Sequence, residues 1–135
     1  MGRFWDALYS NPVDYEDLHS FFSPDAHYED VPAPDLGADG PAAVVYRLKV
    51  GIDPVPDRRH ELHRMVGEGD TVVTEHTETW HFRTGEEVAL PFVSVMEVRD
   101  GKIALWKDYS NLDTLIQGAP QWWLDHIYAQ PWPPP

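Results

Sequence analysis

Three positions combine acid–base side chains with apolar neighbours. Between residues 71 and 82 the residue types alternate as in a strand, so every second side chain shares a face. One face reads Val72, Thr74, His76, Glu78, Trp80, Phe82. His76 and Glu78 stand next to each other on it, with Cβ atoms ~7 Å apart from the rise of a strand. A titratable base and a carboxyl at that spacing can flank one small ligand, and the rings that follow them exclude water. On a later strand Ala104, Trp106 and Asp108 share a face, which puts a carboxylate in an aromatic setting. Carboxyls in apolar surroundings are one way to keep an acid and a base together at neutral pH.

Other chemistries lack their residues. There is no Cys, which removes thiolate ligands, disulfides and thiol nucleophiles. The seven His form no HxH or HExxH pattern. His60 and His63 are separated by an odd number, as are His76 and His81, so each pair is split between two strand faces. No metal is expected. No Gly-rich loop follows a strand and no Ser sits in a nucleophile elbow, so no cofactor is expected.

These side chains need a framework. Phe4, Trp5 and Leu8 mark a short first helix. Asn11-Pro12 reads as the cap and first position of a second helix carrying Leu18, Phe21 and Phe22, ended by Ser23-Pro24. His27 to Asp30 is short and extended, and Val31 to Pro34 is loop. Asp39-Gly40-Pro41 starts a third helix through Val44, Val45 and Leu48, stopping near Gly51. From residue 60 the period becomes two. Strands at 60–66, 71–82, 87–98 and 103–109 alternate with the turns Gly67 to Asp70, Arg83 to Glu86 and Arg99 to Lys102. Leu112, Leu115 and Ile116 open a short helix, and Trp122, Trp123, Leu124 and Ile127 form a last amphipathic piece. Helices first and a meander afterwards is an α+β pattern.

At 135 residues the chain is one domain, read as 1–128, with a Pro-rich tail at 129–135 that extends without helix. Ten Lys and Arg against 23 Asp and Glu give a net charge of −13, which repels nucleic acid and anionic membrane. No apolar run spans a bilayer and no signal peptide is apparent, so a cytoplasmic location is expected. On the 87–98 strand Leu90, Phe92, Ser94 and Met96 share one face, and Ala89, Pro91, Val93 and Val95 the other. Both faces are apolar and helices can cover only one, so a symmetric dimer is expected through the second. Pro91 lacks an N–H and should mark a bulge or an unpaired edge.

The segment Val93-Ser94-Val95-Met96-Glu97-Val98-Arg99-Asp100-Gly101-Lys102-Ile103-Ala104-Leu105-Trp106-Lys107-Asp108-Tyr109 resembles the end of a SnoaL-like domain. The wider group is the nuclear transport factor 2-like fold, a cone-shaped curved antiparallel sheet wrapped by N-terminal helices around an apolar pocket. From about Phe4 to Leu115 the chain is most similar to its limonene-1,2-epoxide hydrolase branch. The resemblance implies Asp108 as the base for water, within Trp106-Lys107-Asp108-Tyr109. It puts His76-Thr77-Glu78 where that branch has Arg-x-Asp, the orienting cation and the acid. Tyr28-Glu29-Asp30 falls where Tyr-x-Asn helps hold the water.

If Asp30, Glu78 and Asp108 share one pocket with His76, which need not be charged, and with no fixed cation, at least one carboxyl is held neutral by repulsion and burial. That gives an acid–base set: Asp108 as base oriented by His76, and Glu78 as acid, with Asp30 able to take its place. Trp80, Leu90, Phe92, Ser94, Met96 and Trp106 predict an apolar small-molecule substrate. With water the set opens an epoxide. With a ketone it performs the proton transfers of a polyketide cyclase, a ketosteroid-isomerase-like enzyme or a dehydratase. Without turnover the pocket is a small-molecule binding module.

Overall fold

Apolar residues three and four apart fold the N-terminal stretch into helices. In the computed structural model, which describes residues 1–134, α1 (Gly2–Leu8) buries Phe4, Trp5 and Leu8. The short α2 (Tyr15–Ser20) buries Leu18. Its cap is Asp14 rather than Asn11: the Asp14 carboxylate accepts from the N–H groups of Glu16 and Asp17, both at 3.1 Å. Two terminal donors satisfied by one side chain fix the helix start more firmly than a proline's preset φ.

The chain is already extended at Phe22, so Ser23-Pro24 lies inside β1 (Phe22–Asp30) instead of closing a helix. Pro24 is tolerated because the β1 register is irregular between Phe22 and His27. A residue without an N–H takes no regular ladder bond from such a stretch. The short β2 (Ala38–Asp39) pairs back on β1, and Gly40, at φ 86°, turns the chain into α3 (Pro41–Ile52). Four long strands follow: β3 (Arg58–Glu68), β4 (Thr71–His81), β5 (Glu87–Arg99) and β6 (Lys102–Ser110). Two helices, α4 (Leu112–Gly118) and α5 (Gln121–Tyr128), close the fold. Trp132 of the tail packs on Tyr46 of α3, with ring centroids 6.2 Å apart. Pro135, the last residue of the tail read from the sequence, lies outside the described residues.

The strand order is β2-β1-β6-β5-β4-β3. The β3–β6 meander is antiparallel, as its tight turns require, but β1 runs parallel to β6. The sheet is therefore curved and mixed, not wholly antiparallel. No hairpin joins β1 to β6, so nothing local imposes opposite directions on them. Pro91 pairs in continuous register with Thr77 of β4, while the β6 ladder ends one residue later at Phe92. It thus occupies the unpaired-edge alternative, without a bulge. Val88, Leu90, Phe92, Ser94 and Met96 of β5 are buried beneath the helices. Ala89 and Pro91 of the opposite face are exposed, and Val93 and Val95 half-buried. Among the described residues no helix is long and apolar enough to cross a membrane.

Candidate active site

The concave side of the sheet and the helices enclose a cavity of about 310 Å³, within the range of small-molecule sites. Strand register brings the acidic groups into it. Asp30 of β1 and Asp108 of β6 are Cα partners across the parallel ladder. Glu78 enters the same cavity from β4, two strands beyond β6. Trp5, Trp80, Leu90, Phe92 and Trp106 form much of the apolar wall. The C-terminal helices add Leu115 and Trp123, so the wrapping is shared between both ends of the chain rather than supplied by the N-terminal helices alone.

Asp108 is tightly held. Its Oδ1 accepts from the Ser94 hydroxyl at 2.5 Å and from the Trp106 indole N–H at 2.6 Å. Its Oδ2 faces the Tyr28 hydroxyl at 3.5 Å. That hydroxyl also lies 3.4 Å from Asp30 Oδ2. Oδ1 is saturated by two donors, so Oδ2 is the oxygen free to exchange a proton. Burial pushes the Asp108 carboxyl well above its ordinary range; the Asp30 charge adds to this, and the Ser94 and Trp106 bonds oppose it. Burial also raises Asp30, against the pull of Arg47, whose Nη2 donates to Asp30 Oδ2 at 2.7 Å. Two neighbouring buried carboxyls beside one guanidinium titrate together, and the first proton they share is held firmly.

Glu78 is set differently. The Tyr9 hydroxyl donates to its Oε2 at 2.6 Å. Burial raises its pKa, while the Tyr9 hydrogen bond and the Arg58 charge pull it down.

The structure brings together Asp30, Glu78, Asp108, Tyr28, Trp80, Leu90, Phe92 and Trp106 in one cavity. His76, Ser94 and Met96 lie behind its wall, at 1%, 0% and 0% exposure. His76 does not orient Asp108. Its Nδ1 pairs with His60 Nε2 at 2.7 Å and its Nε2 with Thr74 Oγ1 at 2.6 Å. The ring stacks on Phe92 at 4.4 Å and 8°, and burial holds its pKa down to about 3. A buried imidazole with two neutral partners stays uncharged and has no reason to reach a carboxylate. Ser94 acts on Asp108 rather than on a ligand, and Met96 is packed behind the wall beside Trp106, its cross-strand partner.

The expectation of three carboxyls without a fixed cation is also corrected. Arg47 and Arg58 both line the cavity. Arg47 was legible in principle: it falls between Val44 and Leu48 on the buried face of α3, where a charged residue needs a partner. Tyr9 and His60 carried no local signal. Tyr9 follows the end of α1, and only β3–β4 pairing sets His60 opposite Glu78.

A curved sheet wrapped by helices around a cavity with converging carboxyls is an architecture of the nuclear transport factor 2-like fold. Residues 2–106 match the SnoaL-like domain, and the chain belongs to that family. Its fold is similar to an LEH-like epoxide hydrolase of M. tuberculosis, with 24% identity over 94% of this chain and 91% of that one, at a TM-score of 0.68. It is similar to a Shewanella putrefaciens CN-32 protein whose name places it with SnoaL-like polyketide cyclases, at 17% identity, 86% and 80% coverage and TM-score 0.73. A Catenulispora acidiphila protein of ketosteroid isomerase-like fold, bound to trimethylamine, matches at 18% identity, 87% and 89% coverage and TM-score 0.73. At these identities the likeness establishes the fold. No protein of curated function matches the chain.

Proposed function

We propose that this protein is an acid–base enzyme that adds water to an epoxide on a largely apolar small molecule. The observation that carries the reading is the Asp30–Asp108 pair, aligned in register across β1 and β6 under the Tyr28 hydroxyl. A pair sharing one proton has a net charge of −1, balanced by Arg47, and can accept a second proton. Water gives that proton to the pair as its oxygen attacks an epoxide carbon. The carbon–oxygen bond opens, and Glu78, whose pKa burial raises, protonates the departing oxygen in its acid form. The product is a diol, and solvent returns the proton from the pair to Glu78. The name of the M. tuberculosis neighbour supports the same reaction class.

The test is turnover of cyclic epoxides in ¹⁸O-labelled water, with the label appearing once in the diol. Asp108→Asn keeps the Oδ1 acceptor and removes the exchangeable carboxyl, so kcat falls by about 10²–10⁴-fold. Full activity in Asp108→Asn overturns the assignment.

One observation favours a second reading, proton transfer α to a ketone. Arg47 is bonded to Asp30 and among the described residues no cation bridges Glu78 and Asp108, because His76 is neutral and behind the wall. Turnover of β,γ-unsaturated ketones, with no diol from epoxides, would select it. Ligand binding with neither turnover would leave a binding module.

A further inference from the structure

Arg58 is the charged group in the cavity that the acid–base reading leaves unused. It is the first residue of β3, 9% exposed, and it lines the cavity. A guanidinium has five N–H donors. The one hydrogen bond the Arg58 side chain makes among the described residues runs from Nη2 to the Leu8 carbonyl, at 3.0 Å. That bond serves the end of α1. Its Nε is buried with no hydrogen-bond partner. Among the described residues no carboxylate lies within 4.0 Å of it, whereas Arg47 has Asp30 at 2.7 Å. The rings of Tyr9 and Trp80 flank the guanidinium carbon, with centroids at 5.2 and 6.0 Å. Burying a cation and an N–H donor with no matching acceptor is costly. Glu78 feels the Arg58 charge, but among the described residues it lies beyond ion-pair distance and its Oε2 accepts from Tyr9 instead.

We infer that the substrate is amphipathic, with an apolar body in the aromatic cavity and a carboxylate, or an equivalent anionic oxygen pair, bound by Arg58. A planar carboxylate supplies the two acceptors that a guanidinium fork presents donors for. The inference deepens the reading of the cavity as a small-molecule site and rests on that, but not on the reaction proposed for it.

Titration calorimetry at neutral pH with two probes of one shape, 4-phenylbutanoate and 4-phenylbutanamide, tests it. The wild-type chain binds the carboxylate about tenfold or more tighter than the amide. Arg58→Gln abolishes that preference and leaves the amide affinity within about twofold, while Arg58→Lys retains part of it. Equal affinities in the wild type, no binding of either probe, or equal weakening of both in Arg58→Gln overturns the inference. The last result would assign Arg58 to holding α1. Neither probe carries an epoxide or a ketone, so a failed turnover assay leaves this result readable.

Discussion

Tyr9 shows how one hydroxyl sets the working range of the site. Its 2.6 Å bond stabilises ionised Glu78 and so lowers that carboxyl's pKa against the larger effect of burial. Tyr9→Phe keeps the ring stacked on His60, 4.1 Å away, and removes only the donor. The Glu78 pKa then rises further. If Glu78 acts as the acid, it must be protonated to work, so the alkaline limb of kcat/KM moves to higher pH in the variant. A limb that stays in place or moves down removes Glu78 from the acid role. Part of this site was legible residue by residue. Face parity alone put Glu78 and Asp108 inward with the tryptophans, because period two is a property of each strand. Arg58, His60 and Tyr9 were not legible, since their roles arise from the β3–β4 register and the approach of α1. His76 was misplaced for a related reason: parity gives the inward face but not the depth at which a neighbour such as Trp5, 4.3 Å away, covers it.

At the scale of elements, the meander was readable because each hairpin carries its own turn and its own alternation. The β1–β6 pairing was not, since it joins strands about eighty residues apart with no connecting turn. The same two scales govern stability. The β3–β4 pair holds a half-buried His60 and a buried His76 as neutral rings, with pKa values held down to about 4 and about 3. The unfolded imidazole titrates near 6.5. Above that pH both states are neutral; below it the unfolded chain binds protons that the folded chain refuses. For His76, stability is therefore lost at about 1.4 kcal/mol per pH unit as pH falls from ~6.5 toward its folded pKa. Asp108, Asp30 and Glu78 act in the opposite sense. Their folded pKa values are raised, so their contribution is present below ~4 and lost as pH rises through them. His76→Gln removes one imidazole from this balance, and the fall in Tm between pH 6.5 and 4, followed by circular dichroism, becomes shallower. An unchanged slope would mean the ring is protonated in the fold. The α4–β5 contact is a packing test. A Cβ on Gly118 would meet Val88 Cγ2 at 2.6 Å, and Val88 is buried. Gly118→Ala forces α4 away from β5 and costs about 1–3 kcal/mol, read as a lower denaturant midpoint. Because Leu115 of α4 lines the cavity, the same change loosens ligand binding.

For the molecule as a whole, the outer face of the sheet is the surface the fold leaves uncovered. Cross-strand pairs Val73–Val95 and Val93–Tyr109 lay an apolar stripe over β4, β5 and β6, and Tyr109 is 45% exposed. Ion pairs border the stripe: Arg64 with Glu75 at 3.4 Å on one side, Lys107 with Glu29 at 4.0 Å on the other. A face with apolar residues in the middle and both signs of charge at its margins is complementary to itself under a two-fold axis. A polyanion would meet a molecule of net charge −13 and be repelled, whereas the margins of this face carry Lys107 and Arg64 beside Glu75 and Glu29, so both signs of charge are available locally to a copy. We propose a second copy of this chain as the cover, in agreement with the dimer expected from the two apolar faces of β5. Val95→Glu places a carboxylate in the middle of the stripe, next to Glu75 and Glu97 and without a cation in register other than Lys107. Multi-angle light scattering of the wild type at micromolar concentration gives twice the 15.5 kDa chain mass, and the variant gives the chain mass with an unchanged circular dichroism spectrum. A wild type that runs as a monomer, or a variant that stays dimeric, removes this face from the assembly and leaves the stripe as ordinary exposed sheet.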